Sequence, residues 1–121
     1  MNNPIVLVVD DEKSLRDFVR KNLEVRGYKV LTASNGLEAM AVFNTERVDL
    51  VILDMIMPQM SGSRVFTGLR EIDPRARILL SSGYSLNGQA EEIMSRGCQG
   101  FIQKPFTIEN LALKIREILG S

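Results

Sequence analysis

Ile5-Val6-Leu7-Val8-Val9-Asp10-Asp11 and Leu50-Val51-Ile52-Leu53-Asp54 decide the fold. Each is a short, unbroken apolar run that ends in a carboxylate. Apolar runs of this length read as strands covered on both faces, so the carboxylates fall at the rim of a sheet. Two such rims side by side gather three negative charges, those of Asp10, Asp11 and Asp54. At about 4 Å two unit charges repel by roughly 1 kcal/mol in water and by several times that at lower effective dielectric. The cluster therefore requires a cation. Ligation by carboxylates alone suits a hard ion such as Mg2+ (or Mn2+), which fills its other positions with water and phosphate oxygens. The pattern points to phosphate chemistry.

Working outward, short apolar runs alternate with longer segments of helical period to the end of the chain, which predicts a doubly wound α/β domain with a parallel sheet. Strands are expected at Ile5–Asp10, Lys29–Ala33, Leu50–Asp54, Arg77–Ser82 and Gly100–Gln103. The first helix follows Asp11-Glu12, carries Leu15, Phe18, Val19 and Leu23 on one stripe, and stops at Gly27. The second starts at Asn35, with Glu38 in capping-box position, and buries Ala39, Val42 and Phe43. Ser61–Asp73, ended by Pro74, is the third. Ala90, Ile93 and Met94 mark a fourth that stops at Gly97. Thr107 caps the fifth, where Ile108, Leu111, Ala112, Ile115, Ile118 and Leu119 recur at helical spacing. Five βα units use residues 1–121, so a single domain is expected.

The bulk numbers narrow the function. Fifteen basic and fifteen acidic residues cancel, leaving no whole-chain field to recruit nucleic acid or an anionic membrane. The chain has no histidine, which removes the usual zinc ligand, the usual general base and every imidazole-dependent triad. It also cannot carry a phosphohistidine, so any such donor is another molecule or another part of a longer protein. Cys98 is the single cysteine and cannot form an internal disulfide; between Gly97 and Gln99 it reads as packing. With no export signal or membrane-length apolar stretch, a cytoplasmic location is expected.

In doubly wound folds ligands gather outside the carboxyl ends of the strands, and Asp10, Asp11, Asp54, Ser82 and Lys104 all fall there. Read together, Val8-Val9-Asp10-Asp11-Glu12, Leu53-Asp54-Met55-Ile56-Met57-Pro58 with Gly62, Leu80-Ser81-Ser82-Gly83 and Lys104-Pro105-Phe106 closely resemble the receiver domains of two-component response regulators. All four blocks stand in order over essentially the full length. The resemblance implies a flavodoxin-like (βα)5 fold with strand order 2-1-3-4-5. It implies that Asp54 is the phosphoacceptor, that Asp10, Asp11, Asp54 and the main-chain carbonyl of Ile56 hold Mg2+, and that Lys104, before a cis Pro105, contacts the phosphoryl oxygens.

By the same resemblance Ser82 is the hydroxyl that reads the phosphoryl group, with Ser81 turned the other way by strand alternation, and Phe101 is the switch aromatic. The implied partners are a histidine kinase or a histidine phosphotransfer protein, and phosphorylation-dependent dimerisation through the fourth and fifth helices is compatible with it. Ile56 and Tyr84 stand where receivers control phosphoryl lifetime, and neither is a carboxylate or amide that would orient water, so slow self-dephosphorylation is expected. Leu113 is a candidate contact on the readout face, and Met55 and Met57 are candidate partner contacts. Gly62 is expected in a backbone region open mainly to glycine. Ser81-Ser82-Gly83-Tyr84-Ser85 and Gly100–Phe106 look more like receivers of hybrid sensor kinases than like those of DNA-binding regulators, so the resemblance implies a receiver from a hybrid sensor kinase or a single-domain response regulator.

Two other classes compete. A flavodoxin-like flavin carrier needs a glycine- and hydroxyl-rich phosphate cradle after the first strand, where Asp10-Asp11-Glu12 would repel the ligand. A haloacid-dehalogenase-like phosphatase needs a second acid two residues after its nucleophile, and Ile56 stands there.

Overall fold

The computed structural model describes residues 3–84, 86 and 88–120, so Ser85 of the quoted loop lies outside it. Five strands form one parallel sheet: β1 (Ile5–Val9), β2 (Lys29–Ala33), β3 (Leu50–Asp54), β4 (Ile78–Ser82) and β5 (Gly100–Gln103). Their order is β2-β1-β3-β4-β5, as expected for a flavodoxin-like fold. The strands begin where predicted except β4, which starts at Ile78 rather than Arg77. Only β1 ends short of its prediction, at Val9, with Asp10 already in the loop.

The five helices are α1 (Lys13–Val25), α2 (Gly36–Thr45), α3 (Gly62–Ile72), α4 (Gly88–Ser95) and α5 (Ile108–Leu119). Caps explain most of their starts. Asn35, Ser61 and Thr107 each accept a hydrogen bond from the amide three residues on, which satisfies a donor that the first helical turn leaves free. Glu38 reaches back to accept from the Ser34 amide at 2.9 Å, one residue before the cap, and ties down the start of α2. Gly27 ends the α1 segment at φ 95°, a region that favours glycine.

Alternation along the strands sorts the core into two layers. Leu7, Val9, Val51, Leu53, Ile78 and Leu80 face α2, α3 and α4. Val6, Val8, Leu50, Ile52, Leu79 and Ile102 face α1 and α5. Two interior faces cover the sheet, which is why its strands are nearly pure Val, Ile and Leu.

Three expectations need correction. Phe18 is 45% exposed: it sits one residue, about 100° of helix rotation, from buried Val19 and falls off the stripe that Leu15, Val19 and Leu23 turn to the sheet. Met55 and Met57 are buried in the layer under α3, so neither presents a surface to a partner. Gly62 does not have positive φ. A Cβ there would lie 2.7 Å from the Met55 Cα, and the Gly62 amide donates to the Met55 carbonyl at 2.9 Å, so close backbone approach is what requires glycine. Cys98 is buried as expected, donates to the Ile78 carbonyl at 3.0 Å and has its thiol pKa pushed up by burial.

Candidate phosphoacceptor site

Four strand ends build the site. Asp10 follows β1, Asp54 closes β3, Ser81 and Ser82 close β4, and Lys104 follows β5. One ligand oxygen each from Asp10, Asp11 and Asp54 lies within 4.8 Å of the others. Asp10 and Asp54 are buried while Asp11 is exposed. Asp54 continues the series Leu50-Ile52 within β3, so alternation puts it on the α1/α5 side of the sheet.

Lys104 enters from the far strand. Its Nζ donates to Asp10 Oδ2 at 2.8 Å and lies 3.4 Å from Asp54 Oδ1. The Lys104-Pro105 bond is cis, as the resemblance implied, and the Lys104 amide is tied to the Ser82 carbonyl at 2.7 Å. Asp10 Oδ1 is held by the Glu12 amide at 2.9 Å, and Arg16 donates to the Asp10 carbonyl at 2.7 Å. Asp10 is therefore well anchored.

Asp54 is not. Its Oδ1 receives the Ile56 amide at 3.4 Å and the equally distant Lys104, both at the long limit of a hydrogen bond. Burial, and then the charge of Asp10, raise its pKa to about 6 against the pull of Lys104. Burial works against the charge on Lys104, but the hydrogen bond to Asp10 and the charges of Asp54 and Asp10 outweigh it and its pKa is raised. Among the described residues Lys104 is the one side chain in ion-pair contact with any of the three carboxylates. Three hard, anionic oxygen donors facing one ammonium are a donor set that fits a hard divalent cation.

Ser82 is buried, and its Oγ accepts the Tyr84 amide at 3.0 Å. It makes no hydrogen bond to Asp54, because alternation puts it on the α3/α4 side. Phe101 is half-buried and packs against the same layer. Ile56 and Tyr84, 52% and 62% exposed, stand at the rim, and Leu113 is exposed on α5 as expected. A groove of roughly 460 Å³, lined by Glu12, Leu15, Gly83, Lys104, Pro105 and Phe106, opens beside the lysine. Two features escaped the sequence reading: Ser81 is the register partner of Asp54, and its buried Oγ has no hydrogen-bond partner among the described residues. The double serine at a strand end was the available signal, and only the register decides which one lies beside the carboxylate.

Known proteins match this arrangement. A family model described as the response regulator receiver domain matches residues 6–116. Sporulation initiation phosphotransferase F of Bacillus subtilis (strain 168) is 30% identical over 119 residues, which cover 98% of this chain and 96% of that protein. The sensor kinase CckA of Brucella abortus (strain 2308) is 34% identical over 116 residues, 94% of this chain but 12% of the relative. A probable transcriptional regulator, ycf27 of Pyropia yezoensis, is 38% identical over 116 residues and is spanned to 46% of its length. Some relatives are thus little longer than this chain and others much longer. The solved structure of the chemotaxis protein CheY4 of Vibrio cholerae superposes with a TM-score of 0.90 at 31% identity, over 97% of this chain and 99% of that one.

Proposed function

Because the chain belongs to the response regulator receiver domain family, we propose that Asp54 accepts a phosphoryl group from a phosphohistidine on a histidine kinase or histidine phosphotransfer protein. An Asp54 carboxylate oxygen forms a bond to phosphorus as the phosphorus–nitrogen bond of the donor imidazole breaks, and the departing ring nitrogen keeps the electron pair. A carboxylate needs no general base near neutral pH, so a site without histidine suffices. The observation that carries this is the geometry of one loosely held carboxylate, Asp54, between a firmly held carboxylate, Asp10, and, among the described residues, the one ammonium in contact with both.

Asp10, Asp11, Asp54 and the Ile56 carbonyl are the groups that would hold Mg2+, which supplies charge neutralisation and polarises the phosphoryl oxygens when bound. Lys104 is poised to follow the charge that develops on those oxygens. The Ser82 hydroxyl accepts through its oxygen, which leaves its proton for a phosphoryl oxygen once the β4–α4 loop moves in. Phe101 then turns into the space vacated, and the added charge and acceptor oxygens of the aspartyl phosphate bias α4, β5 and α5 toward a second arrangement. The apolar wall of the groove, Leu15, Pro105 and Phe106, offers the donor a surface beside Lys104.

Residues 1–121 act in this reading as one signalling unit that promotes its own phosphorylation and loses the group slowly. In this reading the setting is cytoplasmic, and the likeness to a sensor kinase supports a phosphoryl group arriving from the kinase core of a hybrid sensor kinase. Among the described residues no helix is long and apolar enough to cross a membrane. The flavin-carrier and phosphatase readings are not favoured, since Asp11 and Glu12 occupy the would-be phosphate cradle and Ile56 the would-be acid.

Incubation with acetyl phosphate and Mg2+, followed by intact mass measurement, tests the proposal. The wild type is expected to gain one phosphoryl group, and Asp54→Ala or excess chelator to prevent it. An unlabelled wild type, or an Asp54→Ala variant labelled at the wild-type rate, would overturn it.

A further inference from the structure

Ser81 is 2% exposed, and its Oγ is a buried side-chain polar atom with no partner in the described structure. A buried hydroxyl without a partner is costly and calls for an explanation. Strand register supplies one. Ser81 pairs with Asp54 on β3 and with Ile102 on β5. Register partners in a parallel sheet point their side chains to the same face, with strands about 4.8 Å apart. On that face Ser81 has Leu79 two residues before it, Ile102 on one side and Asp54 on the other, so Asp54 is its one polar neighbour in register. The Asp54 carboxylate is short of donors in turn: Oδ1 has two contacts of 3.4 Å, and Oδ2 accepts no hydrogen bond among the described residues.

We propose that Ser81 is a positioning residue for Asp54: its hydroxyl turns about the Cα–Cβ bond and donates to the carboxylate, fixing the oxygen that attacks phosphorus. A serine side chain moves freely between staggered positions, so the rotation needs no backbone change. The two serines then divide the work by parity. Ser81 serves the acceptor from the α1/α5 side and Ser82 serves the phosphoryl group from the loop. Alternation does turn Ser81 away from Ser82, but it turns it toward the nucleophile. The inference rests on the phosphoacceptor reading of Asp54.

The test compares Ser81→Ala, Ser81→Val and Ser81→Thr for the rate of phosphorylation by acetyl phosphate with Mg2+, alongside their melting temperatures without phosphodonor. Val and Thr have nearly the same shape, so they separate the hydroxyl from its volume. Ala and Val are expected to lower the rate at saturating donor by about ten-fold with the donor KM little changed, while the fold remains intact and melts cooperatively. Thr is expected to restore most of the rate. Equal rates for Val and wild type, or equal loss for Val and Thr, would overturn this inference alone. A wild type that takes no label would overturn the phosphoacceptor reading and this inference with it.

Discussion

The two ends of the parallel sheet treat their polar groups in opposite ways. At the amino end, before β4 and β5, Arg70 donates to the Ala76 carbonyl at 3.0 Å, to the Gly97 carbonyl at 2.9 Å and to Gln99 Oε1 at 3.0 Å. Its guanidinium lies 4.7 Å from the centroid of the Phe66 ring, and Arg96 lies 5.0 Å from the same centroid. Arg96 also reaches Ser63 and Thr67 on α3, and Gln99 Oε1 accepts the Ile78 amide at 2.9 Å. Donors here find acceptors, and the ends of α3, α4 and β5 are clasped together. At the carboxyl end, among the described residues, Asp54 has two long contacts, Ser81 Oγ has none, and one ammonium serves two of three clustered carboxylates. Polar groups that hold the fold are saturated. Those around Asp54 are left short, a cost in resting stability.

The contrast can be broken from either end. Lys104→Met should have the largest effect, because it leaves two buried carboxylates without their cation. Unfolding in denaturant at pH 8 without metal should show a loss of about 3 kcal/mol, and phosphorylation by acetyl phosphate should slow severely. If stability were unchanged, the ammonium would not be what makes those carboxylates tolerable. At the other end, Arg70→Ala should cost about 2 kcal/mol in the same experiment, since it orphans two carbonyls and uncovers Phe66, yet leave the phosphorylation rate at the wild-type value. A slowed rate in that variant would mean the two ends are coupled, not independent. The smallest expected effect is kinetic. Ile56→Asn should place an amide where an exposed aliphatic now stands and shorten the phosphoryl lifetime several-fold, about 1 kcal/mol in barrier; an unchanged decay rate after donor removal would count against shielding by Ile56.

The same contrast explains what could be read from the chain alone. The strands and caps were legible because they rest on local patterns: unbroken apolar runs, Asn35, Ser61 and Thr107 before helical periods, and Gly27 after one. The meeting of Asp10, Asp11, Asp54 and Lys104 was legible because all four stand at strand ends; Ser82 was legible only as a strand-end residue, its Oγ being held by the Tyr84 amide. Phe18, Met55 and Met57 were misplaced because periodicity says which residues are apolar but not which edge of a stripe the neighbouring element covers. Gly62 was chosen for a reason other than the one expected, since close approach of two backbones is invisible until the loop after β3 is built. The clasp of Arg70 and Arg96 on Phe66 joins three elements distant in sequence and left no local mark. Ser81 lay in plain view, but only the register of β3 against β4 sets it beside Asp54.

Asp54 itself provides the most direct measurement of the carboxyl-end deficit. Its pKa in the folded protein is raised from 3.8 to about 6, so the folded state binds this proton more tightly than the unfolded chain does. The resulting stability is fully present below 3.8 and is lost as pH rises through about 6. Denaturant unfolding of the wild type and of Asp54→Asn, in chelator, from pH 4 to pH 8, compares the charged and neutral side chain at fixed shape. The account predicts near-equal stability at pH 4 and an Asn variant more stable by about 2 kcal/mol at pH 8. An Asn variant less stable than wild type at pH 8 would show that the carboxylate is already satisfied, and would contradict the claim that this end of the sheet is built short of positive charge.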